Sequence, residues 1–283
     1  MKLKEVSQWL NEELTRAYDD DREKENIIAW LIEHHLNLKG TDLITQKELT
    51  VNDEKLYKIK QSLSRLKSFE PIQYVTGKTW FFDLELTVND AVLIPRPETE
   101  ELTEKIIDLK LSGNAKVLDI GTGSGCIPLA LKSKMPDWEI TGTDISEKAL
   151  KIAKHNRDKY NLNVTFIQWD IRKNHELENE KFDVIISNPP YVPESENKML
   201  HPRVKKFEPS EALFSQGSDP LFFYKLIAEK GRKMLKNSGI IALETHFEYA
   251  KAVAEFFEIT GFRNIEIRKD LSGKNRFVFA YLQ

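Results

Sequence analysis

The sequence has 283 residues, 40% of them hydrophobic, and 42 Lys and Arg against 45 Asp and Glu for a formal net charge of -3. That length suffices for one large or two modest domains with a buried core, and the dispersed charge gives no electrostatic footprint for duplex DNA. No apolar run reaches bilayer-spanning length, and the opening MKLKEVSQWLNEEL has neither the apolar core nor the cleavage site of a signal peptide, so no membrane association and a cytoplasmic location are expected.

In chain order, residues 1–72 read as helices only. Ile27, Ile28, Leu31 and Leu38 recur at helical spacing in REKENIIAWLIEHHLNL, and Leu56, Ile59, Leu63 and Leu66 share one face of DEKLYKIKQSLSRLKSF. Such stripes need partners, which predicts a small helical bundle. His34 and His35 fall in the first of these patterns without metal-ligand spacing, so a surface or satisfied-core role is expected and no metal site.

Over residues 73–95, YVTGKTWFFDLELTVNDAVLIP mixes β-branched and aromatic residues with turn signals at Thr76-Gly77 and Asn89-Asp90, which predicts a linking β-hairpin. A helix then begins in PRPETEELTEKIIDLK, with Pro97 early, acidic residues in the first turn, and apolar Leu102, Ile106 and Leu109. Beyond residue 115 strand and helix alternate. The strand runs are Lys116 to Ile120, Glu139 to Asp144, Val164 to Trp169, Phe182 to Asn188, Ile240 to Glu244, Asn264 to Arg268 and Phe277 to Leu282. Helical runs such as SEKALKIAKHNRDKY and DPLFFYKLIAEKGRKMLKN separate most of them, so residues 96–283 predict an α/β, doubly wound, mainly parallel sheet. The polar connection from Val192 to Gly217 is long for such a domain and has the character of a functional loop. The one cysteine, Cys126, excludes an intrachain disulfide and fits a packing role.

KVLDIGTGSGCIPLAL joins a strand to a helix through Gly121, Gly123 and Gly125. Glycine lets backbone turn sharply and approach a ligand closely. The Gly-x-Gly-x-Gly spacing is not the dinucleotide fingerprint. Asp144 ends the next strand, where a carboxylate can accept both hydroxyls of a ribose, and Trp169 with Asp170 ends the third, where an aromatic face beside a carboxylate suits adenine and its exocyclic amine. Three successive strand ends lining one crevice point to an adenosine-bearing cofactor.

These residues resemble the cofactor half of class I S-adenosylmethionine-dependent methyltransferases. The resemblance implies a seven-stranded sheet with one reversed strand, the last hairpin supplied by NIEIRKDLSGKNRFVFAYL. It implies S-adenosyl-L-methionine as cofactor, with Gly121, Thr122, Gly123, Ser124 and Gly125 around the methionine part, Asp144 at the ribose, Trp169 at the adenine, and Asp119 at the methionine ammonium.

FDVIISNPPYVP ends an apolar run in Asn188, Pro189, Pro190 and Tyr191. Methyl transfer to a planar nitrogen is hindered by delocalisation of its lone pair. A site that accepts hydrogen bonds from both N–H groups holds that nitrogen in line and favours a more pyramidal transition state. The Asn188 side-chain oxygen and the Pro189 carbonyl are the acceptors, the prolines stiffen the turn that aims them, and Tyr191 can stack on the flat target. Asn188 therefore belongs to both the cofactor and substrate sides of the site, and the tetrad is the expected catalytic and substrate-binding element.

The tetrad is similar to those of adenine-N6 and protein-glutamine-N5 methyltransferases. Together with PIQYVTGKTWFFDLELTV, LIPRPETEELTE, LDIGTGSGCIPLAL, FEPSEALF and KDLSGKNR, it resembles the HemK/PrmC family of release factor glutamine methyltransferases along essentially the whole chain. That resemblance implies methylation of the Gly-Gly-Gln glutamine of a class I peptide-chain release factor, recognised by residues 1–72, with no direct nucleic-acid partner. Arg96 and Glu98 become candidates for shaping the pocket, and Glu208 and Pro209 for covering the peptide. The chain departs from the family in Glu244-Thr245-His246, where Glu-Ile-Gly is common, and in Pro220; both are expected to lie clear of the methyl-transfer site, with His246 at a helix start. Alternative readings are a glutamine methyltransferase of a ribosomal protein, an adenine-N6 nucleic-acid methyltransferase, and a non-catalytic scaffold.

Overall fold

Side chains at helical spacing organise the first part of a computed structural model that describes residues 1–283 apart from Ser112, Met199, Gln216 and Ser218. The chain divides into two compact units, Met1–Lys78 with His201–Phe207, and Thr79–Leu200 with Glu208–Gln283. The helical unit thus runs past residue 72 and takes in a remote segment that no local pattern assigns to it.

In the helical unit, α1 (Leu3–Leu14), α2 (Asp21–Leu36), α3 (Gly40–Thr45), α4 (Asp53–Lys67) and α5 (Ile72–Thr76) follow in order. Asp20 starts α2 by accepting from the Arg22 and Glu23 amides, and Asn52 starts α4 by accepting from Lys55, which satisfies donors that a helix start leaves bare. Leu10, Leu31, Ile59 and Leu66 are fully buried. Each such side chain contributes about 2 kcal/mol, whereas exposed ion pairs contribute little, so the apolar stripes decide the bundle. Leu38 lies beyond the end of α2 and is only partly buried, as is Leu56. His35 meets Ser62 at 2.8 Å, and burial lowers its pKa to about 4, so it is a neutral, hydrogen-bonded histidine.

A hairpin follows, β1 (Lys78–Phe81) and β2 (Leu84–Thr87), all but its first residue in the second unit. Its turn is at Phe82-Asp83, not at the expected glycine and asparagine signals. Phe82 takes φ 49°, while Gly77 closes α5 and Asn89 caps the following turn through the Ala91 amide. Both punctuation marks therefore fall at the outer ends of the hairpin. Phe81, Leu84 and Leu86 turn inward and hold it to the core below.

Next come α6 (Pro97–Ile107), β3 (Lys116–Ile120), α7 (Cys126–Lys134), β4 (Glu139–Asp144), α8 (Glu147–Tyr160), β5 (Thr165–Gln168) and β6 (Phe182–Ser187). The chain continues through α9 (Pro202–Phe207, in the helical unit), α10 (Ser210–Leu213), α11 (Phe222–Met234), β7 (Leu235–Glu244), α12 (Ala250–Ile259), β8 (Arg263–Lys269) and β9 (Asn275–Tyr281). The connection expected from Val192 to Gly217 includes Met199 and Gln216, which lie outside the described residues.

The strands form one seven-stranded sheet in the order β5-β4-β3-β6-β7-β9-β8, all parallel except β9, which pairs antiparallel with both neighbours. Alternation along β3 and β6 explains the two layers. Val117 and Val184 face α6, α7 and α8, while Leu118 and Ile185 face α11 and α12. Buried on both faces, these strands must be almost wholly apolar. β7 starts before the expected Ile240 because its first residue pairs with Phe182 ahead of a register shift. Cys126 packs in the first layer, where burial raises its thiol pKa to about 12 and makes it inert. Among the described residues no helix is long and apolar enough to cross a membrane. Strand order reverses between β3 and β6, and their carboxyl ends define the crevice where open α/β sheets bind ligands.

Candidate active site

The loop after β3 is built on three left-handed glycines, Gly121, Gly123 and Gly125, with φ of 79°, 53° and 81°. The Gly121 and Thr122 amides both donate to the Thr143 carbonyl at 2.8 Å, which pins the loop to β4. A Cβ on Gly125 would stand 3.0 Å from Phe166 and 3.1 Å from Ala153, so this glycine is needed for close packing. A Cβ on Gly121 or Gly123 would meet nothing within 4 Å, so these two border open space.

Asp119 lies under this loop with no solvent exposure, and neither of its carboxylate oxygens has a hydrogen-bond partner among the described residues. Thr122 Oγ1 and Ser124 Oγ in the loop are likewise buried and unpartnered among the described residues. Burial raises the Asp119 pKa to about 7. Native proteins rarely leave such groups unsatisfied, and three side chains with four such atoms, Asp119 in β3 and two hydroxyls in the loop after it, mark a place suited to a ligand that brings donors or positive charge. Asp144 accepts the Gly123 amide on one oxygen and the Ser146 amide on the other, each at 2.9 Å. A carboxylate has about four acceptor positions, so Asp144 can still accept two hydroxyls. Burial raises its pKa, and the backbone donors oppose that shift.

Trp169 is 4% exposed, and its indole N–H is committed to the Lys173 carbonyl at 3.1 Å, which leaves it an apolar surface and no free polar handle. Asp170, expected beside an adenine amine, is paired in this structure with Arg172. Arg172 takes both of its oxygens, at 2.7 and 2.9 Å, and that pairing holds its carboxyl below the usual range.

At the end of β6, Pro189 is buried while Asn188, Pro190 and Tyr191 are half-buried. The Asn188 side-chain nitrogen donates to Thr99 Oγ1 at 3.0 Å, and the Thr99 hydroxyl donates to Glu244 at 2.7 Å. The Tyr191 hydroxyl donates to the other Glu244 oxygen at 3.2 Å. His246 lies near the start of α12 as expected, but its ring centroid is 6.2 Å from that of Tyr191. The segment Glu244 to His246 therefore reaches the tetrad, contrary to the expectation that it lies clear, because β7 is the immediate neighbour of β6. Glu196, His246 and Glu248 place one ligand atom each within 4.8 Å of one another, with Glu248 exposed. Arg96 Nη2 meets Glu208 at 2.5 Å, and the Ile94 amide meets the second Glu208 oxygen at 3.4 Å, joining the IPRPETE and FEPSEALF stretches.

Known proteins match both units. A family model described as a methyltransferase domain matches residues 111–270, and one described as the PrmC N-terminal domain matches residues 5–77. The release factor glutamine methyltransferase of Flavobacterium psychrophilum is 40% identical over 263 residues, 92% of each chain. That of Streptococcus pneumoniae is 38% identical over 281 residues, 98% of each chain. The chain belongs to the release factor glutamine methyltransferase family. Its fold is that of class I methyltransferases: a Pyrococcus furiosus methyltransferase of solved structure aligns over 81% of this chain and 98% of its own at a TM-score of 0.52, with 17% identity.

Within this release factor glutamine methyltransferase family member, Thr99, Glu244 and the partnership of Arg96 with Glu208 escaped the reading of the sequence. Glu244 carried a usable signal. Like Asp144, it is the carboxylate that ends an apolar parallel strand, and so sits at the ligand-binding edge of the sheet.

Proposed function

We propose that this chain methylates the side-chain amide nitrogen, N5, of the Gly-Gly-Gln glutamine in class I peptide-chain release factors, with S-adenosyl-L-methionine as donor. The residues present suit that cofactor. Asp119, Thr122 and Ser124 hold unpartnered buried polar atoms for an amino-acid moiety, Asp144 keeps acceptor capacity for ribose hydroxyls, and Trp169, packed in the core just after β5, would bound the base pocket from behind. When bound, the cofactor supplies an electrophilic methyl group.

The protein's own contribution is orientation. Asn188 has its side-chain nitrogen tied to Thr99, which leaves its oxygen to accept from the substrate amide, and the Pro189 carbonyl accepts the second N–H. Held by two acceptors, the amide nitrogen presents its lone pair in line, and proximity lowers the barrier. Tyr191, anchored through its hydroxyl, flanks the planar group. A methylated, still cationic amide is acidic enough to lose its proton to water, so no strong base is required. Residues 1–72 would recognise the body of the release factor.

The observation that carries the reading is the Asn-Pro-Pro-Tyr turn at the end of β6, one strand from the Asp119 loop. The test is peptide-level mass spectrometry of a purified release factor incubated with this protein and S-adenosylmethionine. One added methyl on the Gly-Gly-Gln glutamine is expected. Methylation of a ribosomal protein or an adenine oligonucleotide instead would overturn the substrate, and no transfer to any of them would overturn the reaction.

A further inference from the structure

We propose that Glu244, acting through Thr99, is a positioning residue that fixes which end of the Asn188 amide faces the reacting nitrogen. The inference rests on the methyl-transfer reading above and deepens it.

Three elements bring the groups together. Ser187 and Leu243 are register partners in β6 and β7, so the next residues, Asn188 and Glu244, leave the sheet side by side. Thr99 comes from the first turn of α6 and is 3% exposed. Its hydroxyl has one hydrogen, and an ionised carboxylate can only accept. At 2.7 Å from Glu244 Oε2, Thr99 must spend that hydrogen there, which leaves Oγ1 facing Asn188 as an acceptor only. The Asn188 Nδ2 group satisfies it at 3.0 Å. Were the amide turned over, two oxygens would confront each other with no hydrogen between them. The substrate-facing atom of Asn188 is therefore the acceptor that an amide N–H requires, and the donor arrangement that would repel it is excluded. The same carboxylate fixes Tyr191 through its other oxygen, so one buried charge sets both ends of the tetrad.

The groups around Glu244 support this role. Burial raises its carboxyl pKa to about 7; the Thr99 hydroxyl, Arg276 and Tyr191 oppose the rise, and Glu98 adds to it. Tyr224 reaches only its backbone carbonyl, at 3.4 Å. Arg276 is shared with Asp270, 3.3 Å away, and His246 lies just beyond on the chain. Protonated Glu244 can donate a hydrogen, which frees the Thr99 hydroxyl and removes the constraint on Asn188.

The test compares wild type, Glu244→Gln, Thr99→Val and Thr99→Ser, using intact release factor and saturating S-adenosylmethionine so that Asp119 titration does not limit occupancy. Folding is checked by thermal melts and cofactor affinity by calorimetry. Expected are a kcat at least tenfold lower in Glu244→Gln and Thr99→Val, recovery to within about threefold in Thr99→Ser, and cofactor Kd within about threefold throughout. The wild-type fall in kcat toward acid pH, centred near 7, should be absent in Glu244→Gln. A wild type that transfers nothing to the release factor overturns the reading and this inference with it. A wild type that transfers while Glu244→Gln matches its kcat, or Thr99→Ser behaving like Thr99→Val, overturns the inference alone.

Discussion

The Arg96 guanidinium lies 2.5 Å from Glu208, whose side chain is 2% exposed while that of Arg96 is 32% exposed. The asymmetry predicts asymmetric mutants. Arg96→Ala strands a buried carboxylate that, among the described residues, keeps the Ile94 amide at 3.4 Å as its partner. It should cost about 2 kcal/mol, below the ~3–5 kcal/mol of wholly buried pairs because Arg96 is partly solvated. Glu208→Gln keeps an acceptor and should cost less. Urea unfolding of the two variants gives the comparison; equal losses would mean that the buried charge is not what the pair stabilises.

Asp119 makes the protein's stability pH-dependent. Its folded pKa of about 7 stands above the ordinary value of 3.8, so the folded state favours the protonated form. Stability from this group is present below about pH 4 and is lost as pH rises toward 7, where folding must bury a charge. Asp119→Asn removes that slope. The variant should gain on the wild type between pH 5 and pH 8 by on the order of 2 kcal/mol, in the absence of cofactor. A constant difference in unfolding free energy across that range would contradict the assignment.

Binding and turnover should separate between Asp144 and Asn188. Asp144→Asn loses one of two backbone-anchored acceptors and the charge, and should weaken S-adenosylmethionine binding by about ten- to a hundredfold. Asn188→Ala should leave the Kd nearly intact and reduce turnover severely. Calorimetry with initial rates reads both; a common fall in affinity alone would remove Asn188 from the transfer step.

The glycine loop gives a ranking. Gly121→Ala meets strain only, about 1–2 kcal/mol for a left-handed alanine. Gly125→Ala meets the same strain and a Cβ 3.0 Å from Phe166 and 3.1 Å from Ala153. Gly125→Ala should therefore melt at the lower temperature, and the reverse order would show that Phe166 yields readily.

Local texture made much of this legible. β3 and β4 fall where KVLDI and EITGTD place them, because strands covered on both faces are unbroken apolar runs ending at the functional edge. The hairpin turn was hidden because Phe82 adopts positive φ without a glycine to announce it. Thr99 was hidden for another reason. In PETE it reads as part of a helix start, and only the adjacency of β6 and β7, separated by dozens of residues in sequence, brings Asn188 and Glu244 to it. The pairing of Asp170 with Arg172, two residues on, is a local contact that the strand pattern does not announce.

The segment His201–Phe207 belongs with the helical unit although its chain neighbours belong to the sheet. Within that unit Arg203 pairs with Glu23 and stacks 4.2 Å above the Tyr18 ring. The backbone thus crosses between units three times, and no single cut separates them. A fragment starting at residue 79 would keep α9 but lose the ring and carboxylate that seat Arg203, and residues 1–78 alone would expose the place that α9 fills. Dissecting this protein by truncation would damage both pieces, whereas supplying residues 201–207 as a peptide to the isolated helices would restore the missing layer.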